Sequence, residues 1–65
     1  MMCSFSFEEK SYQVSDEAYD AGGDIRLPDG RVLRPQGWAE TCPPIPVDLV
    51  VITESEGATF EATAV

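Results

Sequence analysis

DIRLPDGRVLR, residues 24–34, decides how the chain folds back on itself. In Leu27-Pro28-Asp29-Gly30, proline holds φ at about −65°, as the first central position of a type I turn requires. Gly30 supplies the left-handed residue that closes a three-residue hairpin loop. The turn fixes a register with Leu27 opposite Arg31, Ile25 opposite Leu33 and Asp24 opposite Arg34. Ile25, Leu27 and Leu33 then share an apolar face. Asp24, Arg26, Val32 and Arg34 share the other, where Asp24 and Arg34 form a cross-strand ion pair. An exposed pair of this kind adds about 0.5 kcal/mol and mainly agrees with the register.

On the N-terminal side, SFSFEEKSYQV (4–14) begins with strict alternation that places Phe5 and Phe7 on one face, after which Tyr12 and Val14 take the opposite parity. A bulge near Glu8 to Lys10 reconciles the two halves, as do two short strands. SDEAYDAGG (15–23) suits one short helical turn over 15–21, with Ser15 or Asp16 as N-cap, carboxylates in the first turn and Gly22 as the stop.

On the C-terminal side, RPQGWAETCPPIP (34–46) holds the only Trp, the second Cys and four of the five prolines. Residues 35–46 read as an ordered, Pro-rich crossover loop between hairpin 24–34 and a second hairpin over 47–65. PVDLVVITE (46–54) is β-branched, has apolar side chains on both parities, and is expected to be the most buried strand. With Ser55-Glu56-Gly57 as its loop, Ile52 faces Phe60, Val50 faces Ala62 and Asp48 faces Ala64. Residues 1–65 are therefore expected to form a single small all-β domain carrying one short helical turn. The architecture is a small twisted antiparallel sheet or an SH3-like barrel of about five strands.

A chain of this size buries only about 60% of the surface that it exposes when unfolded. It carries 12 acidic and 4 basic side chains, a formal net charge of -8, and no cation beyond Arg34. Direct binding to nucleic-acid phosphates or to an anionic membrane needs the Lys and Arg that are missing. The N-terminus MMCSFSFEEK lacks the basic region and apolar stretch of a secretory signal, and no window approaches the roughly 18 apolar residues of a spanning helix. These features predict a soluble, cytoplasmic protein. Cys3 and Cys42 are expected as reduced thiols, the alternative being one bridge from the first strand to the Pro-rich loop.

The chain has no His, so it lacks the usual general base, the Ser-His and Cys-His nucleophile pairs and the commonest transition-metal ligand. The densest carboxylate stretch, DEAYDAGGD, fails as an EF-hand: counting from Asp16, the third residue is Ala18 and the sixth Ala21. AGGD lacks the Lys and Ser/Thr of a phosphate loop. Cys42-Pro43 has no His or nearby cation to favour a haem-ligating thiolate. Pro43-Pro44-Ile45-Pro46 fits a loose PxxP ligand, but the nearest cation is Arg34, so it reads first as a stiff lead-in to a strand. No enzyme activity, metal or cofactor is expected.

What remains is a non-catalytic, acidic protein-interaction module: an accessory subunit or small regulator of a larger complex, whose partner presents a basic surface. The candidate binding residues are Trp38, Pro44 and Ile45, together with Glu54, Glu56 and Glu61 of the acidic C-terminal hairpin. Trp38 is either a lid over the core or an exposed anchor. The alternative is an acidic inhibitor that mimics nucleic acid, as phage-type anti-defence proteins do, and that binds a basic protein surface. Self-association into a homodimer through the edge strand ending at Val65 is a third option.

Overall fold

The computed structural model describes residues 1–65. Seven strands and one helix follow in the order β1 (Met2–Phe7), β2 (Lys10–Ser15), α1 (Glu17–Ala21), β3 (Asp24–Arg26), β4 (Val32–Ala39), β5 (Ile45–Ile52), β6 (Thr59–Glu61) and β7 (Thr63–Ala64). They form a three-stranded sheet, order β1-β2-β7, and a four-stranded sheet, order β5-β4-β3-β6, with no closed barrel. The all-β expectation with a short helix holds, with more and shorter strands than the sequence suggests.

The 24–34 hairpin forms in the expected register. Leu27 N–H donates to the Arg31 carbonyl at 2.8 Å and Gly30 N–H to the Leu27 carbonyl at 3.0 Å, with Gly30 at φ 99° and Ile25 opposite Leu33. Ile25, Leu27 and Leu33 are fully enclosed. The Asp24–Arg34 pair also forms, but it is no exposed ornament, because Asp24 retains only 6% of its surface.

The parity shift near residue 9 resolves as two strands. Glu8 and Glu9 take left-handed φ values of 51° and 68°, making a two-residue turn that sets Phe7 opposite Lys10, Phe5 opposite Tyr12 and Cys3 opposite Val14. Partners across a two-residue turn have opposite parity, so the shift is what brings these four core side chains onto one face. The Phe5 and Tyr12 rings stack with centroids 5.5 Å apart. In α1 the Ser15 hydroxyl accepts from Glu17 N–H at 3.2 Å. Gly22, at φ 64°, ends the helix, and Gly23 N–H reaches back to the Ala18 carbonyl, completing a Schellman closure.

Three expectations need correction. Residues 35–46 are not a crossover loop: 35–39 continue β4, and only 40–44 connect it to β5, which turns back antiparallel with Trp38 opposite Pro46 and Pro35 opposite Leu49. Pro35 falls opposite Gly23, just outside β3, so its missing N–H breaks no ladder bond there. The 47–65 hairpin does not form. Instead β6 runs parallel to β3, with Ile25 opposite Phe60, and β7 returns to β2, with Tyr12 opposite Ala64. The physical reason is that β3 has a free edge that the tail satisfies: Asp24 N–H donates to the Ala58 carbonyl and Ala62 N–H to the Arg26 carbonyl. Ser55, meant for a turn, spends its hydroxyl on the Asp24 carboxylate. Lastly, β5 is not the most buried strand. It is an edge strand, paired with β4 alone.

One core joins the two sheets. Cys3, Phe5, Tyr12 and Val14 from the first meet Ile25, Leu27 and Leu33 from the second, with Ala18 and Ala62 filling between them and Phe7, Trp38, Leu49 and Phe60 packed around.

Candidate functional site

The long edge of the four-stranded sheet is β5, and apart from Asp48 its exposed side chains are apolar: Ile45 is 40% exposed, Val47 38%, Val50 46% and Val51 48%. Natural sheets usually blunt such an edge with Lys, Pro or a short strand. Here Asp48, midway, takes φ 53°, a conformation that Asp tolerates better than the β-branched residues around it. Beyond this kink the alternation fails, and Val50 and Val51 are both exposed while Leu49 and Ile52 stay half-buried. Val47 lies over Gly37, where a Cβ would come within 3.4 Å of it.

At the start of β5, Trp38 is half-buried against the core and meets Tyr19 edge to face, with centroids 5.3 Å apart. The Tyr19 hydroxyl donates to Glu40 Oε1 at 3.3 Å. The Glu40 charge, with Asp20 contributing, raises the Tyr19 pKa. With Asp16, Glu17 and Asp20 on and before α1, this end of the molecule is densely anionic.

All three arginines are committed to carboxylates. Arg31 holds Glu8 at 2.7 Å and Asp29 at 2.8 Å, Arg26 holds Glu61 at 3.3 Å, and Arg34 holds Asp24 at 3.0 Å. Asp24 is the hub of a latch: it accepts from Arg34 Nε at 3.0 Å, Arg34 Nη2 at 3.2 Å and the Ser55 hydroxyl at 2.5 Å. Those bonds hold its carboxyl below the usual range against the opposing effect of burial. The latch pins the loop between β5 and β6 beside an open groove of about 600 Å³ that reaches from Arg26 and Arg31 to Val51 and Glu54. Its two arginines are neutralised in place and leave little field for an anion.

Of the residues expected at the site, Trp38, Pro44 and Ile45 do gather at the first end of β5. Glu54 and Glu56 lie in the loop past its other end. Glu61 lies on β6, at the opposite edge of the sheet, and is tied to Arg26. The expected strip is therefore split, with the exposed strand itself between its halves. A face of this strand exposing Leu49 and Val51 is within reach of the sequence, but the exposure of Val47, Asp48 and Val50 is not, because a β-branched run reads identically for a buried central strand and an edge.

Both cysteines are free, Cys3 buried and Cys42 exposed. Burial and the nearby Asp16 raise the Cys3 pKa. No group of three His, Cys, Asp or Glu side chains converges where it could hold a metal, and no helix is long and apolar enough to cross a membrane. No known family model, characterised protein or solved structure matches the chain.

Proposed function

We propose that the protein is a non-catalytic, acidic interaction module that binds another protein through β5 and its flanks. The observation that carries this reading is the uncovered edge strand with Ile45, Val47, Val50 and Val51 exposed. Each of these side chains is partly accessible, so covering it contributes ~1 kcal/mol, about half the value for full burial. The four together are a useful fraction of a binding free energy, in a protein whose other large apolar side chains are mostly enclosed.

The charge distribution supports this module over nucleic-acid mimicry. Carboxylates free of ion pairs lie on separate elements: Glu9 in the first turn, Glu17 and Asp20 on α1, Glu40 before β5, Asp48 within it, and Glu54 and Glu56 after it. Four of them, Glu40, Asp48, Glu54 and Glu56, lie on β5 or next to its ends in the chain, which suits a partner with basic rims and an apolar centre.

Affinity capture from the native host tests the reading. Trp38 packs on the core, so Trp38→Ala disturbs folding as well as binding. Val51→Lys and Val47→Lys are the cleaner probes, since each changes an exposed position and leaves stability within about 0.5 kcal/mol. The reading predicts that both variants lose partners that the unaltered chain retains. Equal recovery of the same partners by all three proteins contradicts it.

A further inference from the structure

Resting on that reading, we propose that β5 binds its partner by strand addition, and that the partner segment is extended, apolar at alternate positions and flanked by Lys or Arg. Three observations point there. First, β5 is eight residues long, kinked at Asp48, and hydrogen-bonded on one side only, β1 packing close to it without a ladder bond. None of the backbone hydrogen bonds outside the ladders involves a β5 residue, so on the side away from β4 its N–H and C=O groups are unclaimed by backbone. Such an edge is a template for a further strand.

Second, the charges around it select the occupant. Glu40, Asp48, Glu54 and Glu56 bracket β5, none of them in an ion pair, and no cation follows Arg34. A second copy pairing antiparallel through β5 would bring Asp48 beside its equivalent and Glu56 towards the other copy's Glu40. Like charges at such places oppose association, whereas a strand with cationic ends gains at both. Third, β7, the edge strand that ends beside Val65, is only two residues long and offers little to a dimer.

The test uses the full chain and a synthetic peptide alternating Val and Thr with two Lys at each end. Amide hydrogen exchange by NMR, with the peptide at saturation, is expected to slow by about 10-fold or more at Val47, Leu49 and Val51. Affinity should fall at least ~10-fold when alternate peptide nitrogens are methylated, because that removes donors without altering charge. It should fall several-fold between about 50 mM and 500 mM salt. Glu54→Lys with Glu56→Lys should weaken the Lys peptide and favour a Glu-flanked one.

Equal binding of the methylated peptide, slowed exchange only away from β5, or a dimer with β5 amides already protected in the peptide-free protein would each overturn strand addition. Should the peptide fail while Val51→Lys still loses host partners, strand addition is wrong and the interaction module stands. Peptide binding alongside unchanged host capture by Val51→Lys supports the strand-accepting edge and refutes the module.

Discussion

Replacing Asp24 with Asn tests the latch that holds the tail on the four-stranded sheet. Asn has the same shape but no charge, and it presents an NH2 group with two donors where the wild-type side chain presents only acceptors. With the carboxylate gone, the two bonds from Arg34 at 3.0 and 3.2 Å and the one from Ser55 at 2.5 Å cannot all persist, because an amide NH2 must face a guanidinium or a hydroxyl proton. Hydrogen bonds to a charged group contribute ~1.5–3 kcal/mol each. Arg34 is 46% exposed along its side chain and recovers water, so the expected net loss is ~2 kcal/mol.

A domain of this size has about 3–5 kcal/mol in all, so the urea midpoint, followed by Trp38 fluorescence, should fall by roughly half. Arg34→Met should be at least as damaging, since it leaves a carboxylate buried with Ser55 alone. The pH dependence has a definite sign. The Asp24 pKa is lowered in the folded state from an ordinary 3.8. Its contribution is therefore complete above that value and is lost as pH falls below it, through the folded-state pKa. The Asn variant should show a shallower acid limb than wild type, while retaining the part due to Asp29, whose pKa is lowered by the Arg31 backbone and side chain. A midpoint within about 0.5 kcal/mol of wild type at pH 7, with an unchanged acid limb, would refute the latch.

Other substitutions probe other joints of the fold. Glu9→Gly relieves a left-handed φ of 68° while leaving the Glu8–Arg31 pair, and should raise the urea midpoint by an equivalent of ~0.5–1 kcal/mol. Gly23→Ala drives a Cβ into the Phe60 ring and to 3.0 Å from the Ala58 carbonyl. It should cost about 1–3 kcal/mol and shift the β6 amide resonances most. With a thiol reagent such as DTNB, Cys42 should react in the folded protein and Cys3 only after denaturant is added; prompt reaction of both would show that the first sheet opens readily.

How far the sequence reveals this fold depends on how local each signal is. Leu27-Pro28-Asp29-Gly30 carries its own turn chemistry, so register, apolar face and ion pair were all readable. At Glu8-Glu9 the parity of Phe5, Phe7, Tyr12 and Val14 betrayed a reversal, but neither Glu is a usual left-handed residue, so a bulge looked equally good. Pro35 and the Cys42–Pro46 prolines masked β4, because the tolerance of Pro35 depends on where β3 ends, and β3 is set from elsewhere. The parallel pairing of β6 with β3 has no local mark at all: a three-residue loop at Ser55 offers a plausible hairpin, and only the unmet edge of β3 and the buried Asp24 decide against it. At the candidate site, residue type alone points to Trp38 and Ile45, whereas the exposure of Val47 and Val50 follows from which strand ends up outermost.

That tail arrangement also governs how the chain reaches its native state. Glu61 closes β6 in one sheet and Thr63 opens β7 in the other, with buried Ala62 alone between them. Thr59 must find Asp24 and Thr63 must find Gln13, long closures that confer no reward until both partners are placed. The two N-terminal hairpins form on their own local turns, and their apolar faces meet in one core, but the strand pairings that carry the chain from one sheet to the other wait for the last few residues. Folding should accordingly be limited by this single late stitch, on the millisecond-to-second scale of β proteins rich in distant pairings. Substitutions at Phe60 and Ala62 should then slow folding, because their contacts form in the limiting step, and those in the 24–34 hairpin, formed before it, should slow it too.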